Sequence, residues 1–225
     1  MPRSLTILFT FLSLSAFAQS DDCTCFAGIG SREEDTPLLT VGLDNGVILA
    51  VCGFEQKGLS EEEIMVSEFD VFNCATGASL AQYGIARTCM LKNEKGGLTI
   101  SELRFLPVGE KWEWKQVVVG NQRIYAKGDQ VQVAPKTPAY EPTEMDTART
   151  GPYLKEMRGL KGTGKLYPGS IEEILGRLEV MALNNVKEAT DMLYDFEHYF
   201  QVELSGAIRD QWMDAVETVK WATGN

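Results

Sequence analysis

Histidine is nearly absent from this chain of 225 residues, in which His198 is the only one. Imidazole is the side chain that metal sites and acid–base catalysis near neutral pH use most often. The motifs G-x-S-x-G, H-E-x-x-H and S-x-x-K, which mark nucleophile and metalloprotease sites, do not occur either. The sequence therefore predicts no metal ion and no cofactor, and we interpret His198 as a solvated surface residue.

Positive charge is also scarce in the sequence. Lys and Arg together number 21 against 32 Asp and Glu, which gives a formal net charge of −11. Contact with a phosphate backbone requires a basic surface, so we expect no nucleic-acid partner. The hydrophobic fraction of 44% and the charged fraction of 24% are typical of a globular protein, which excludes wholesale disorder.

Only one long apolar run is present, and it lies at the N-terminus. It extends from Leu5 to Ala18, follows the single charge of Arg3, and ends in the small-x-small triplet Ala16-Phe17-Ala18. A membrane-spanning helix needs about 20 apolar residues, so this run is too short to be one. We interpret residues 1–18 as a signal peptide, with the mature chain beginning at Gln19.

No later run approaches 18 apolar residues, so no transmembrane segment is expected after signal removal. The chain also lacks any Asn-x-Ser/Thr glycosylation sequon. A short signal peptide on a chain without sequons favours a bacterial protein, either periplasmic or secreted, over a eukaryotic one.

The sequence has five cysteines, and all of them lie in its first half. Export favours disulfides, and five cysteines allow at most two bridges. We expect Cys74 to pair with Cys89 across neighbouring strands, and Cys52 to pair with Cys23 or Cys25. The alternatives are a pairing of Cys52 with Cys74 or Cys89, unpaired buried thiols, and a thiolate metal cluster, although the C-x₂-C spacing of zinc modules is missing.

Short apolar runs separated by turn residues fill the chain from about residue 37 to 134. The first two flank Asp44-Asn45-Gly46, and Asn-Gly between β-branched runs is a strong hairpin signal. Eight such runs without a helical period predict an antiparallel β-sandwich or barrel-like domain over residues 19–134. The predicted strands are Leu38–Leu43, Val47–Phe54, Ile64–Cys74, Tyr83–Leu91, Leu98–Phe105, Trp112–Val119, Ile124–Ala126 and Val131–Val133.

Residues 135–169 contain five of the chain's eight prolines and six of its basic residues, which predicts a basic Pro/Gly-rich linker with one helical turn near Tyr153–Met157. In residues 170–225 apolar side chains recur at helical spacing in three stretches, the first opened by a capping box from Ser170 to Glu173. The sequence thus predicts an α+β protein with a small three-helix C-terminal subdomain.

Two pairs of side chains are candidate sites in the β-rich part. Glu68 and Asp70 alternate along one predicted strand, so they share a face, and paired carboxylates could serve a hydrolase. Trp112 and Trp114 share a face of another strand. If exposed, the two indoles would form a stacking platform for a sugar ring; if buried, they would form the centre of the β core.

The glycine-rich stretch Gly159-x₄-Gly164-Lys165 is similar to a phosphate-binding loop, but Leu166 stands where that motif needs Ser or Thr. We interpret it as part of the linker. Taken together, the residues predict an exported, non-catalytic module that binds a protein or glycan partner. A carboxylate-dependent hydrolase and a structural or accessory envelope protein are the alternatives, and the sequence does not fix the oligomeric state.

Overall fold

The computed structural model describes residues 23–56, 64–94, 96–108, 112–142 and 144–224. The predicted signal peptide and its cleavage site therefore lie outside the described residues. The strands are β1 (Leu39–Gly42), β2 (Ile48–Gln56), β3 (Ile64–Asn73), β4 (Ser79–Glu94), β5 (Gly97–Pro107), β6 (Trp114–Lys127), β7 (Gln130–Val133) and β8 (Thr137–Pro138). The helices are α1 (Glu144–Leu160), α2 (Pro168–Leu183), α3 (Lys187–Tyr194), α4 (Phe196–Phe200) and α5 (Gly206–Thr223).

The strands form one antiparallel sheet in which β1 to β7 lie side by side in chain order, while β8 pairs with β6. The helices follow the sheet in the chain, so the predicted α+β class is confirmed. Two predicted strands, 112–119 and 124–126, merge into the single long strand β6, which begins at Trp114 and leaves out residues 112 and 113.

The sheet is curled but not closed. β1 contacts β5, although four strand spacings in a flat sheet would hold them roughly 19 Å apart. The curl encloses an apolar core with side chains from β1 to β6, among them Val41, Val71 and Leu98. With one sheet rather than two, the barrel-like prediction is nearer to the observed fold than the sandwich.

A second apolar core lies between the helices and the end of the same sheet. Side chains alternate along β5, so its even-numbered residues share one face. Leu98 and Ile100 on that face belong to the core of the curled sheet, whereas Leu106 belongs to the helical core together with Leu178 and Phe196. The helices therefore pack on the same face of β5 that, further along the strand, lines the core of the curled sheet.

The first hairpin forms at the predicted position. Gly46 has a φ of +79°, and its amide donates to the carbonyl of Leu43, while the Val47 amide bonds the side-chain oxygen of Asn45. Only the glycine takes a left-handed conformation, whereas a two-residue turn of Asn45 and Gly46 would require it at both positions. The connection is accordingly a turn that ends in a left-handed glycine, not a two-residue turn.

The disulfides are Cys23–Cys74 and Cys25–Cys52, with Cα separations of 5.6 and 5.8 Å. The predicted Cys74–Cys89 bridge is wrong, whereas pairing Cys52 with Cys25 was one of the expected arrangements. Cys89 lies opposite Val66 in the β3–β4 ladder, which places it about 25 Å along the strands from Cys74. Cys89 remains a buried thiol.

The segment predicted as a linker contains α1, a helix of 17 residues, instead of one helical turn. Tyr153, Leu154 and Met157 are buried in the helical core. Pro152 lies inside the helix, and the sequence pattern misleads there because an interior proline normally interrupts a helix. Packing of the apolar stripe outweighs that local preference.

The three helical stretches predicted after residue 170 are present, with two local differences. α2 begins at Pro168, and Ser170 bonds the backbone of Tyr167 instead of capping the helix itself. The second stretch is divided at Asp195 into α3 and α4. None of the helices in the described part of the chain is long and apolar enough to cross a membrane.

Candidate functional site

Asp70, one of the two candidate catalytic carboxylates, is completely buried. It lies opposite Cys52 in the β2–β3 ladder, on the sheet face that turns away from the enclosed core. Residues 23–35 cover this face and are tied to it by both disulfides. The backbone amide of Ile29 donates to Asp70 Oδ2 at 2.5 Å, and the Ser79 hydroxyl lies 3.5 Å from Oδ1. Asp70 therefore holds the N-terminal segment on the sheet.

Glu68, the second candidate carboxylate, occupies a β-bulge. Gly53 pairs with Phe69 and Phe54 pairs with Ser67, so Glu68 is an extra residue in β3, and its φ is +49°. An extra residue shifts the alternation of side chains along the strand. We predicted that the two carboxylates share a face because side chains alternate along a regular strand. The bulge at Glu68 interrupts this alternation in β3.

Trp112 lies before β6, so the prediction that it shares a strand face with Trp114 is wrong. Its φ is +58°, a conformation that is rare for a bulky side chain. Its ring contacts Tyr153 of α1, with 5.5 Å between centroids. The guanidinium of Arg177 lies 4.9 Å from the ring centre of Trp112, and that of Arg149 lies 5.6 Å from it. The indole is thus engaged by cations of the chain itself.

Arg177 connects these aromatic rings to α2. Its guanidinium also lies 4.9 Å from the ring centre of Tyr153, and it forms an ion pair with Glu173 one turn earlier. Burial raises the pKa of the Tyr153 hydroxyl, an effect that Arg177 partly opposes. The Tyr153 ring thus packs against both Trp112 and Arg177.

Trp114 begins β6 and packs in a different place from Trp112. Its ring lies 5.5 Å from that of Phe105 on β5, and its outer edge fits against Gly176 of α2, where a Cβ would come within 2.8 Å of the indole. Phe105 is 61% exposed and Trp114 is half-buried. We call Phe105 and Trp114 the aromatic patch.

The surroundings of the aromatic patch are polar. Glu113, Lys115 and Gln116 are exposed, and the Lys115 ammonium lies 3.5 Å from the Glu113 carboxylate. Phe105 was not among the predicted site residues. Strand alternation could have found it, because Leu98 and Ile100 point inward and odd-numbered residues of β5 therefore point outward.

An ion-pair cluster joins the sheet to the helices behind the aromatic patch. Arg104 on β5 bonds Glu179 of α2 through two hydrogen bonds of 3.0 and 2.8 Å and also bonds Asp214 of α5. Glu179 is only 2% exposed. Burial raises the pKa of its carboxyl group, while Arg104 acts in the opposite direction. Nearby, Lys136 pairs with Glu102 and lies over the Trp221 ring.

The glycine-rich loop after α1 packs against α4. The amides of Gly162 and Gly164 donate to the carbonyls of Tyr199 and Phe200, at 3.0 and 3.1 Å. These amides serve tertiary structure and do not point at a phosphate. His198, on α4, is exposed and bonds Asp195 at 2.9 Å, which agrees with its interpretation as a surface residue.

The chain matches no protein-family model, and neither curated proteins nor solved structures include a significant match to it.

Proposed function

We propose that this protein is an exported, non-catalytic module that binds a partner through the aromatic patch. Export is supported by the apolar N-terminal stretch and by the two disulfides, since such bonds persist mainly in oxidising compartments. The single observation that carries the binding function is the exposure of Phe105 beside Trp114. Large aromatic side chains within a polar rim are typical anchors of binding surfaces.

A protein partner fits this surface better than a glycan. Stacking on a sugar ring requires an open indole face, and Trp112 is already engaged by Arg177, Arg149 and Tyr153. Trp114 rests against Gly176 and Phe105. What remains accessible is the apolar Phe105 ring, which suits a hydrophobic pocket on a protein. A hydrolase receives no comparable support, because Asp70 is covered by residues 23–35.

Affinity capture from the native extracellular or envelope fraction tests this proposal with two variants. Phe105→Ala removes the exposed anchor, whereas Phe54→Ala removes a phenylalanine of similar exposure, 55%, on β2. We expect one protein to be retained by wild type and by Phe54→Ala, and to be retained at least tenfold less by Phe105→Ala. Equal retention by all three would contradict the proposal, and selective retention of a polysaccharide would assign the patch to a glycan instead.

A further inference from the structure

Residues 23–35, which we call the N-terminal segment, lie on the sheet without forming a strand of it. Among the described residues, the backbone hydrogen bonds of this segment stay within it. The Cys25 amide donates to the carbonyl of Asp35 at 2.8 Å, and the Glu34 amide donates to the carbonyl of Cys25 at 3.0 Å. The N-terminal segment is therefore a folded loop attached to the outside of the sheet, and it is not part of the hydrogen-bonded ladder.

A small apolar cluster holds the N-terminal segment on the sheet. It contains seven side chains, four of which are the disulfide cysteines. The other three are Ala50 and Phe72 of the sheet and Phe26 of the segment, whose ring lies 5.5 Å from that of Phe72. None of these seven side chains belongs to the core of the curled sheet or to the helical core. Separation of the segment from the sheet would therefore leave both large cores in place.

The two disulfides are the covalent part of this attachment, and they differ in accessibility. Cys23 and Cys74 are half-buried, whereas Cys25 and Cys52 are 2% and 0% exposed. The bridges join residues that are 51 and 27 positions apart in the chain. A bridge that closes a long loop removes much of the entropy that the open chain would regain. Without the bridges, the segment is held only by the small cluster and by the hydrogen bond of the Ile29 amide.

We infer that the two disulfides act as a redox switch, which a dithiol reductant operates to release the N-terminal segment while both large cores stay folded. A thiolate of the reductant attacks one sulfur of the more accessible Cys23–Cys74 bridge, and its second thiolate then resolves the mixed disulfide. The reductant is oxidised to its own disulfide, and its two electrons and two protons convert the bridge into two cysteine thiols. The same exchange opens Cys25–Cys52 once the segment has loosened.

Release of the N-terminal segment uncovers the face of β2 and β3 on which it lies. This face carries Ala50, Phe72 and the carboxylate of Asp70, which are all buried in the oxidised protein. An apolar and acidic surface is therefore accessible only after reduction. The inference does not depend on the proposed function, because neither the segment nor the face beneath it contains a residue of the aromatic patch.

Reduction of the full chain with dithiothreitol, followed by alkylation with excess iodoacetamide in native buffer, tests the inference. Two buried cysteines provide the readout: Cys52 lies beneath the N-terminal segment, Cys89 lies in the core of the curled sheet, and both are 0% exposed. We expect Cys52 to be alkylated at least about 100-fold faster than Cys89, as measured by peptide mass spectrometry. Phe26→Ala, which removes the ring packed on Phe72, should accelerate the reaction of Cys52 severalfold and leave that of Cys89 unchanged.

Three results would overturn the inference. If Cys52 is reduced but reacts as slowly as Cys89, the N-terminal segment stays in place without its bridges. If both cysteines react rapidly and at the same rate, reduction unfolds the sheet as well as the segment. If dithiothreitol does not reduce the Cys25–Cys52 bridge in native buffer, the two disulfides are a fixed part of the fold.

Discussion

Asp70 illustrates how a buried carboxylate serves structure when a backbone donor is close to it. The Ile29 amide would lack this partner if Asp70 were removed, and a buried donor without a partner costs free energy. The carboxylate also lies beside Gly28, where a Cβ would collide with it. Residues 23–35 are thus positioned by a polar contact as well as by two disulfides.

We predict that Asp70→Ala lowers the free energy of unfolding by about 2–3 kcal/mol, because it leaves the Ile29 amide unsatisfied and opens a small cavity. Urea denaturation of the oxidised protein measures the change. Glu55→Ala provides the control, since Glu55 is an exposed acid on the neighbouring strand β2. A loss of stability no larger than that of the control would show that the Asp70 contact contributes little.

Individual residues were predictable where a local rule decides their environment. Asn45-Gly46 marks its turn because glycine takes positive φ without a steric penalty. Alternation along β5 would likewise have placed Phe105 outside and the charged Glu102 and Arg104 inside, where they need partners. The bulge at Glu68 was not predictable in this way, because nothing in the alternation of β3 indicates an extra residue.

Among the strands and helices, strand length is the property that the sequence did not predict. β4 extends over 16 residues, Ser79–Glu94, whereas the predicted strand began at Tyr83. Because β4 starts at Ser79, which pairs with Phe72, Cys89 lies opposite Val66 and far from Cys74, and the geometric basis of the predicted bridge is lost. Tertiary packing similarly explains why α1 forms. Its buried residues Tyr153 and Met157 stabilise the helix although it contains Pro152.

Gly176 allows the helix α2 to pack closely against the aromatic patch. A glycine inside a helix normally costs about 1 kcal/mol relative to alanine, and here it allows α2 to approach Trp114. A Cβ at this position would lie 2.8 Å from the indole, closer than van der Waals contact allows. The aromatic patch thus depends on a glycine of a helix that follows it by about 60 residues.

We predict opposite effects for alanine at two helical glycines. Gly176→Ala should destabilise the protein and change its tryptophan fluorescence, because Trp114 must shift. Gly151→Ala in α1, where nothing lies within 4 Å of the new Cβ, should stabilise it by up to about 1 kcal/mol. Denaturation curves compare the two variants, and stabilisation by Gly176→Ala would contradict the close packing of α2 on Trp114.

Within the whole molecule, one face of β5 contributes residues to both apolar cores, and charged residues lie between these two sets along the strand. Leu98 and Ile100 belong to the core of the sheet, Leu106 belongs to the helical core, and Glu102 and Arg104 lie between these residues along the strand. Arg104 reaches both α2 and α5. The attachment of the helices to the sheet therefore rests on an ion-pair cluster as well as on apolar contact.

We predict that Arg104→Ala destabilises the protein by about 3–5 kcal/mol, since it leaves the buried carboxylate of Glu179 without its partner. The double variant Arg104→Leu with Glu179→Leu should recover much of this loss, because it removes both charges. Arg158→Ala, which breaks an exposed two-bond pair with Glu188, should remain close to wild type. An equal effect of Arg104→Ala and Arg158→Ala would argue against a buried cluster.

We propose that Phe105 lies at the interface with a partner. Site-specific photo-crosslinking tests this proposal, with p-benzoylphenylalanine placed at position 105 or, as a control of matched exposure, at position 54. After irradiation in native extracellular or envelope material, we expect one discrete cross-linked protein from position 105 and none from position 54. No product from position 105, or the same products from both positions, would contradict it.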